Sequence, residues 1–117
     1  MNNLTEKLND LNQLVLNGQL LDAFEKYYHD DVQMQENEMQ PTIGKKANEA
    51  REKQFLSDIV EFRNAEVLNM AVGDDVSFVE WKFDYTHKEW GVRNYTQISK
   101  QLWKDGKIIH EQFLYNN

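Results

Sequence analysis

The sequence predicts an α+β domain in which helices come first and an antiparallel meander follows. Three observations carry that prediction. The N-terminal segment repeats its apolar residues at helical spacing, and the C-terminal half alternates apolar and polar residues at strand spacing. Lys104-Asp105-Gly106-Lys107 contains Asp-Gly, the strongest short hairpin signal.

Leu4, Leu8, Leu11 and Val15 fall at i, i+4, i+7 and i+11, one stripe of an amphipathic helix. Asn3 and Glu6 stand in capping-box register, and Asn17-Gly18 ends the helix because Gly tolerates the left-handed cap. A second short helix carries Leu20, Leu21, Phe24, Tyr27 and Tyr28 on its buried side. A strand from about Asp31 to Glu36 places Val32, Met34 and Glu36 on one face and Gln33 and Gln35 on the other. After the turn-rich "NEMQPTIG", "KKANEAREKQFL" is a helix by propensity with a thin apolar stripe of Ala47, Ala50 and Phe55. Strands follow from Ile59. "VSFVEWKFDYTH" puts Ser77, Val79, Trp81, Phe83, Tyr85 and His87 on one face. "RNYTQISKQLWK" puts Arg93, Tyr95, Gln97, Ser99, Gln101 and Trp103 together, opposite Thr96, Ile98, Lys100, Leu102 and Lys104. Thr86 to Gly91 is a second hairpin connection, and "IIHEQFLYN" is the last strand.

The 117 residues make one domain, 1–117, with 40% hydrophobic residues and a net charge of -7. That charge repels phosphate backbones and anionic surfaces, so neither nucleic acid nor membrane is an expected partner. The absence of cysteine excludes disulfides and thiolate chemistry. With no apolar leader at the start, the expected location is cytoplasmic. His29, His87 and His110 share no metal-binding spacing, and no glycine-rich phosphate loop is present, so no metal or organic cofactor is expected.

Glu36 is the residue that stands out, because it follows two apolar residues on the same strand face. Either it meets water at the strand end or it borders a cavity that uses an acid or base. Glu111 is the second carboxylate of interest. Parity groups it with Ile109, Phe113 and Tyr115 against Ile108, His110, Gln112 and Leu114, and parity alone does not choose the inward set. The polar run Arg93, Tyr95, Gln97, Ser99, Gln101 and the aromatic run Trp81, Phe83, Tyr85 suit a site for a small apolar or aromatic ligand. Tyr28, Met34 and Phe113 are core residues or walls of that site.

The order of elements, with "YYHDD" at Tyr27 to Asp31, "PTIGK" at Pro41 to Lys45 and "WKDGKI" at Trp103 to Ile108, resembles the nuclear transport factor 2-like superfamily. Its SnoaL-like polyketide cyclase and ketosteroid isomerase branches are the most similar. The resemblance implies a strongly curved antiparallel sheet wrapped around about three N-terminal helices, cone-shaped with an internal pocket, and a homodimer formed through the outer sheet face. It also places a general base at Glu36. The isomerase's oxyanion tyrosine and aspartic acid would fall near Leu11 and Ser99, so steroid isomerisation is not expected. The expected function is a cofactor-free isomerase, cyclase or dehydratase acting on a small apolar carbonyl compound. Glu36 is its base, Tyr95 or Gln97 holds the substrate oxygen, and Glu111 is the second acid. The alternative is a non-catalytic ligand-binding or dimerisation module. Its outer face would use Val76, Phe78, Ile98, Leu102, Ile108 and Leu114, framed by Lys82, Lys100 and Lys104.

Overall fold

The N-terminal apolar stripe forms α1 (Asn3–Leu16) in the computed structural model, which describes residues 3–116. Leu4, Leu8 and Leu11 are buried and Val15 packs against the same core. Asn3 is already helical, so it is not the cap that its capping-box register suggests. At the other end Gln19 N–H donates to Leu14 O at 2.8 Å and Gly18 N–H to Val15 O at 3.1 Å. Gly18 sits at φ +79, which closes the paired-bond motif that favours glycine.

α2 (Leu20–Tyr27) buries Ala23, Phe24 and Tyr27, while Leu20 and Leu21 are only half-buried. The helix runs directly into β1 (Tyr28–Glu36), so the strand starts earlier than the sequence suggests and Tyr28 belongs to it. Phe24 and Tyr28 stack across that junction with centroids 4.8 Å apart. β2 (Thr42–Ile43) pairs with β1 and leads into α3 (Lys45–Ser57). Here the predicted stripe is corrected: Ala47 and Ala50 are exposed, and the buried residue is Asn48. Its Nδ2 donates to Thr42 O at 3.0 Å and Gly44 O at 2.8 Å, with a longer bond to Val32 O at 3.3 Å. The inward polar side chain gives those carbonyls a further donor, two of them already accepting a backbone N–H.

β3 (Ile59–Val72), β4 (Val76–His87), β5 (Gly91–Lys104) and β6 (Lys107–Tyr115) form the expected antiparallel meander. The sheet order is β2-β1-β6-β5-β4-β3, and β1 joins β6 in parallel, a pairing that local sequence does not announce. The fold is therefore α+β with a curved, mostly antiparallel, unclosed sheet around the helices. Three register shifts along β3 and β4 add residues to one side of the ladder and bend it. Another shift in β6 lets Trp103 pair Ile108 while Leu102 pairs His110, leaving Ile109 unpaired. That extra residue turns both Ile108 and Glu111 inward. Ile108 is fully buried in the core, which corrects its assignment to the outer face. Strand parity reads correctly elsewhere: Ser77, Val79, Trp81, Tyr85 and His87 are buried on β4, and Ser99, Gln101 and Trp103 on β5. No described helix is long and apolar enough to cross a membrane.

Candidate functional site

Three strands converge on Glu111. It pairs with Gln101 on β5 and Met34 on β1, and it is 3% exposed. Gln101 Nε2 donates to its Oε2 at 2.9 Å, and the Tyr28 hydroxyl donates to its Oε1. Behind Gln101, Ser77 Oγ donates to Gln101 Oε1 at 2.6 Å and Trp103 Nε1 donates to Ser77 Oγ at 2.8 Å. An indole N–H can only donate and takes one lone pair of Ser77 Oγ, whose O–H donates on to the Gln101 carbonyl. The Gln101 amide then faces Glu111, so Oε2 accepts from it and a proton on Glu111 belongs on Oε1, beside Tyr28. Burial pushes Glu111 up to about 7, against the downward pull of the Tyr28 and Gln101 hydrogen bonds. Burial and the Glu111 charge hold the Tyr28 phenol well above its usual range, so it remains a neutral donor.

Two further carboxylates face this residue. Glu52 stands one helical turn beyond Asn48 on α3, and burial, then the charges of Glu111 and Glu36, push it up to about 8. Glu36 ends β1, where Asn37 turns the chain at φ +50 and its Oδ1 accepts from Tyr115 N–H at 2.9 Å. That tether sets Tyr115 beside Glu36, and burial, followed by the neighbouring Glu36 carboxylate, raises its phenol to about 12. Like charges this close cannot all ionise together at neutral pH. Met34, Glu36, Asn48, Arg51, Glu52 and Phe113 line a crevice of about 30 Å³, room for roughly one water. A larger ligand enters only if side chains move. The bigger hollow, about 400 Å³, lies outside the site between α2, β1 and α3 and is lined by Glu25, Asp30, Lys45, Lys46 and Glu49.

Of the residues singled out in the sequence, Glu36, Met34 and Phe113 line the crevice, with Glu111 and Tyr28 directly behind it. Trp81 and Phe83 stack at 5.4 Å within the core layer, and Gln97 Nε2 donates to Ser99 Oγ at 3.2 Å. The polar and aromatic runs lie side by side, since Trp81 pairs with Gln97, Phe83 with Tyr95 and Tyr85 with Arg93. The Tyr95 hydroxyl is 2.8 Å from that of Tyr85, not turned to Glu36. Tyr115 holds the position at Glu36 instead. The sequence does not single out Glu52, nor does it reveal that Tyr28 and Gln101 both donate to Glu111. The spacing Asn48, Glu52, Phe55 was the available signal for Glu52, but the alanines of the same helix gave a competing stripe. Among the described residues no group of His, Asp and Glu is arranged to hold a metal ion.

A family model for the SnoaL-like domain matches residues 9–111. Among solved structures, a Mesorhizobium loti protein that carries the name SnoaL-like polyketide cyclase is 27% identical. It superposes with a TM-score of 0.86 over 95% of this chain and 97% of that one. A Burkholderia pseudomallei NTF2-like protein of unknown function has a TM-score of 0.83 at 10% identity, covering 99% of this chain and 92% of its own. A Catenulispora acidiphila protein with a ketosteroid isomerase-like fold, in complex with trimethylamine, has a TM-score of 0.68 at 11% identity over 81% and 74%. At 10% and 11% identity the likeness is one of fold. No curated protein matches the chain.

Proposed function

The chain belongs to the SnoaL-like domain family, and from that premise we propose that it moves a proton on a small, mostly apolar carbonyl compound without metal or organic cofactor. The reaction class is isomerisation, cyclisation or dehydration. The observation that carries this reading is that Glu36 and Glu52 line one crevice with Glu111 behind it, Glu111 at about 7 and Glu52 at about 8. Carboxyl groups in that range are partly protonated at neutral pH, so one site offers both an acid and a base. In this scheme Glu36 takes the proton and Glu111, with Tyr28, returns one. Tyr115 is placed to donate to the substrate oxygen. Tyr95 and Gln97, engaged with Tyr85 and Ser99, shape the wall and can take that role only by changing partners.

The test is deuterium exchange at carbons next to a carbonyl, followed by NMR in heavy water over a panel of small apolar ketones and aldehydes. Wild type is expected to accelerate exchange in at least one member. Glu36→Gln is expected to return it to the uncatalysed rate with an unchanged circular dichroism spectrum. Full exchange in Glu36→Gln removes the base, and no acceleration by wild type removes the enzyme reading.

A second reading, a non-catalytic dimerisation module, is favoured by the convex sheet face. Phe78, Leu102 and Leu114 are there 36–38% exposed, beside half-buried Val76 and Ile98. Sedimentation at micromolar concentration is expected to give a species of twice 13.9 kDa, and Leu102→Lys is expected to split it. A wild-type monomer would sink the dimer.

A further inference from the structure

We propose that Arg93 anchors an anion, so that the compound this site takes is an organic acid: a small apolar or aromatic body carrying a carboxylate. The inference rests on the concave face being the ligand site proposed above. Pairing with Tyr85 places Arg93 on that face. Phe62, also opposite Tyr85, shares the face and is 57% exposed, so the β3 edge of this face is open, while Tyr85 itself is covered by Phe55 of α3.

The other arginines have oxygen partners. Arg51 donates to Thr42 Oγ1 at 2.9 Å, and Arg63 to Asp84 at 2.8 Å and Glu61 at 2.7 Å. Arg93 has no such partner among the described residues, and its Nε is buried without a hydrogen bond. That is unusual in a chain with 20 acidic residues, where a free guanidinium has many carboxylates to choose from. Among the described residues the Tyr95 ring lies against it, 4.7 Å away. A buried donor left unpaired is costly, and a planar guanidinium matches a carboxylate through two parallel hydrogen bonds.

The surroundings fit an apolar body. Tyr95 packs on Phe83 at 5.9 Å and on Tyr115 at 5.6 Å. Tyr95, which holds Arg93, packs on Tyr115, and Tyr115 is tethered through Asn37 to the end of β1 beside Glu36. A ligand with its carboxylate on Arg93 lies over the tyrosines and presents its far end toward Glu36. The reverse orientation would bring its charge against Glu36, Glu52 and Glu111.

Phenylacetate and phenylacetamide test this, since they share size and ring and differ in charge. Each is titrated into isotope-labelled protein at low ionic strength, with the Arg93 Nε–Hε signal as readout. Wild type is expected to bind the acid at least tenfold more tightly than the amide. Arg93→Gln is expected to bring the two within twofold, and Arg93→Lys to restore part of the preference. Backbone amide spectra confirm that each variant is folded. Equal binding of acid and amide to wild type, or an undiminished preference in Arg93→Gln, overturns the proposal. So does the absence of phenylacetate binding up to about 10 mM. Proton exchange that survives such a failure leaves the acid–base reading standing without the anion site. Acid-selective binding without any exchange does the reverse.

Discussion

Glu111→Gln is expected to stabilise the folded protein at pH 8 by up to roughly 3 kcal/mol and to slow proton transfer on a substrate by about a hundredfold or more. Glu111 stands at about 7 in the folded state against an ordinary 4.5. The folded protein therefore binds this proton more tightly than the unfolded chain does. Below about pH 4.5 both states are protonated and the residue costs nothing. As pH rises toward 7 the unfolded chain ionises first and stability falls; above 7 the full penalty stays. Glutamine has the same shape without the charge. Its carbonyl oxygen accepts from Gln101, and its amide donates to the Tyr28 hydroxyl, which rotates to receive it. The Tyr28 hydroxyl hydrogen gives up its acceptor in that turn, so roughly 3 kcal/mol is the upper bound of the gain. The thermal midpoint at pH 8 is expected to rise by up to roughly 10 °C. Glu52, at about 8, keeps part of the pH slope alive in the variant. Urea melts at pH 5 and pH 8 check the prediction, and a variant less stable than wild type at pH 8 refutes it.

The largest loss is expected from Gln101→Leu, about 2–4 kcal/mol at pH 8 and clearly less at pH 5. Gln101 is 2% exposed and serves both neighbours, accepting from Ser77 and donating to Glu111. Leucine fills the space but deprives Glu111 Oε2 of its donor. An ionised carboxylate suffers most from that, and the loss pushes Glu111 further up. At pH 5 the carboxyl is protonated and needs the amide less, so the two denaturation curves should approach each other. A loss equal at both pH values would assign the cost to packing and to Ser77 alone.

Much of the fold was legible because it follows from periodicity. The leucine stripe of α1, the Gly18 stop, the Asp105-Gly106 turn and the inward sets of β4 and β5 are local patterns, and they appear in place. The misreadings also have physical causes. In α3 propensity predicts a helix but not its face, and the inward face is marked by the carbonyls to which Asn48 donates. In β6 the unpaired Ile109 breaks the period of two, so no counting rule puts Ile108 and Glu111 on the same side. Glu36 was visible as an acid interrupting an apolar face. Glu52 and the Tyr28–Glu111 bond were not, because residues 28, 52 and 111 meet only through the parallel pairing of β1 with β6 and the packing of α3.

β3 leaves a long strand at the rim of the sheet, where its outer backbone groups are free to pair with another chain. A flat rim of 14 residues bearing Val60, Phe62, Leu68 and Met70 would be a template for fibrils. The register shifts at Ile59/Glu61, Phe62/Asn64 and Val67/Asn69 spoil that template, since no straight strand can follow an edge that steps sideways three times. Arg63, tied to Glu61 and Asp84, sets charge at the middle step. The irregularities that curve the sheet around its acidic crevice thus also keep the molecule from polymerising through its edge.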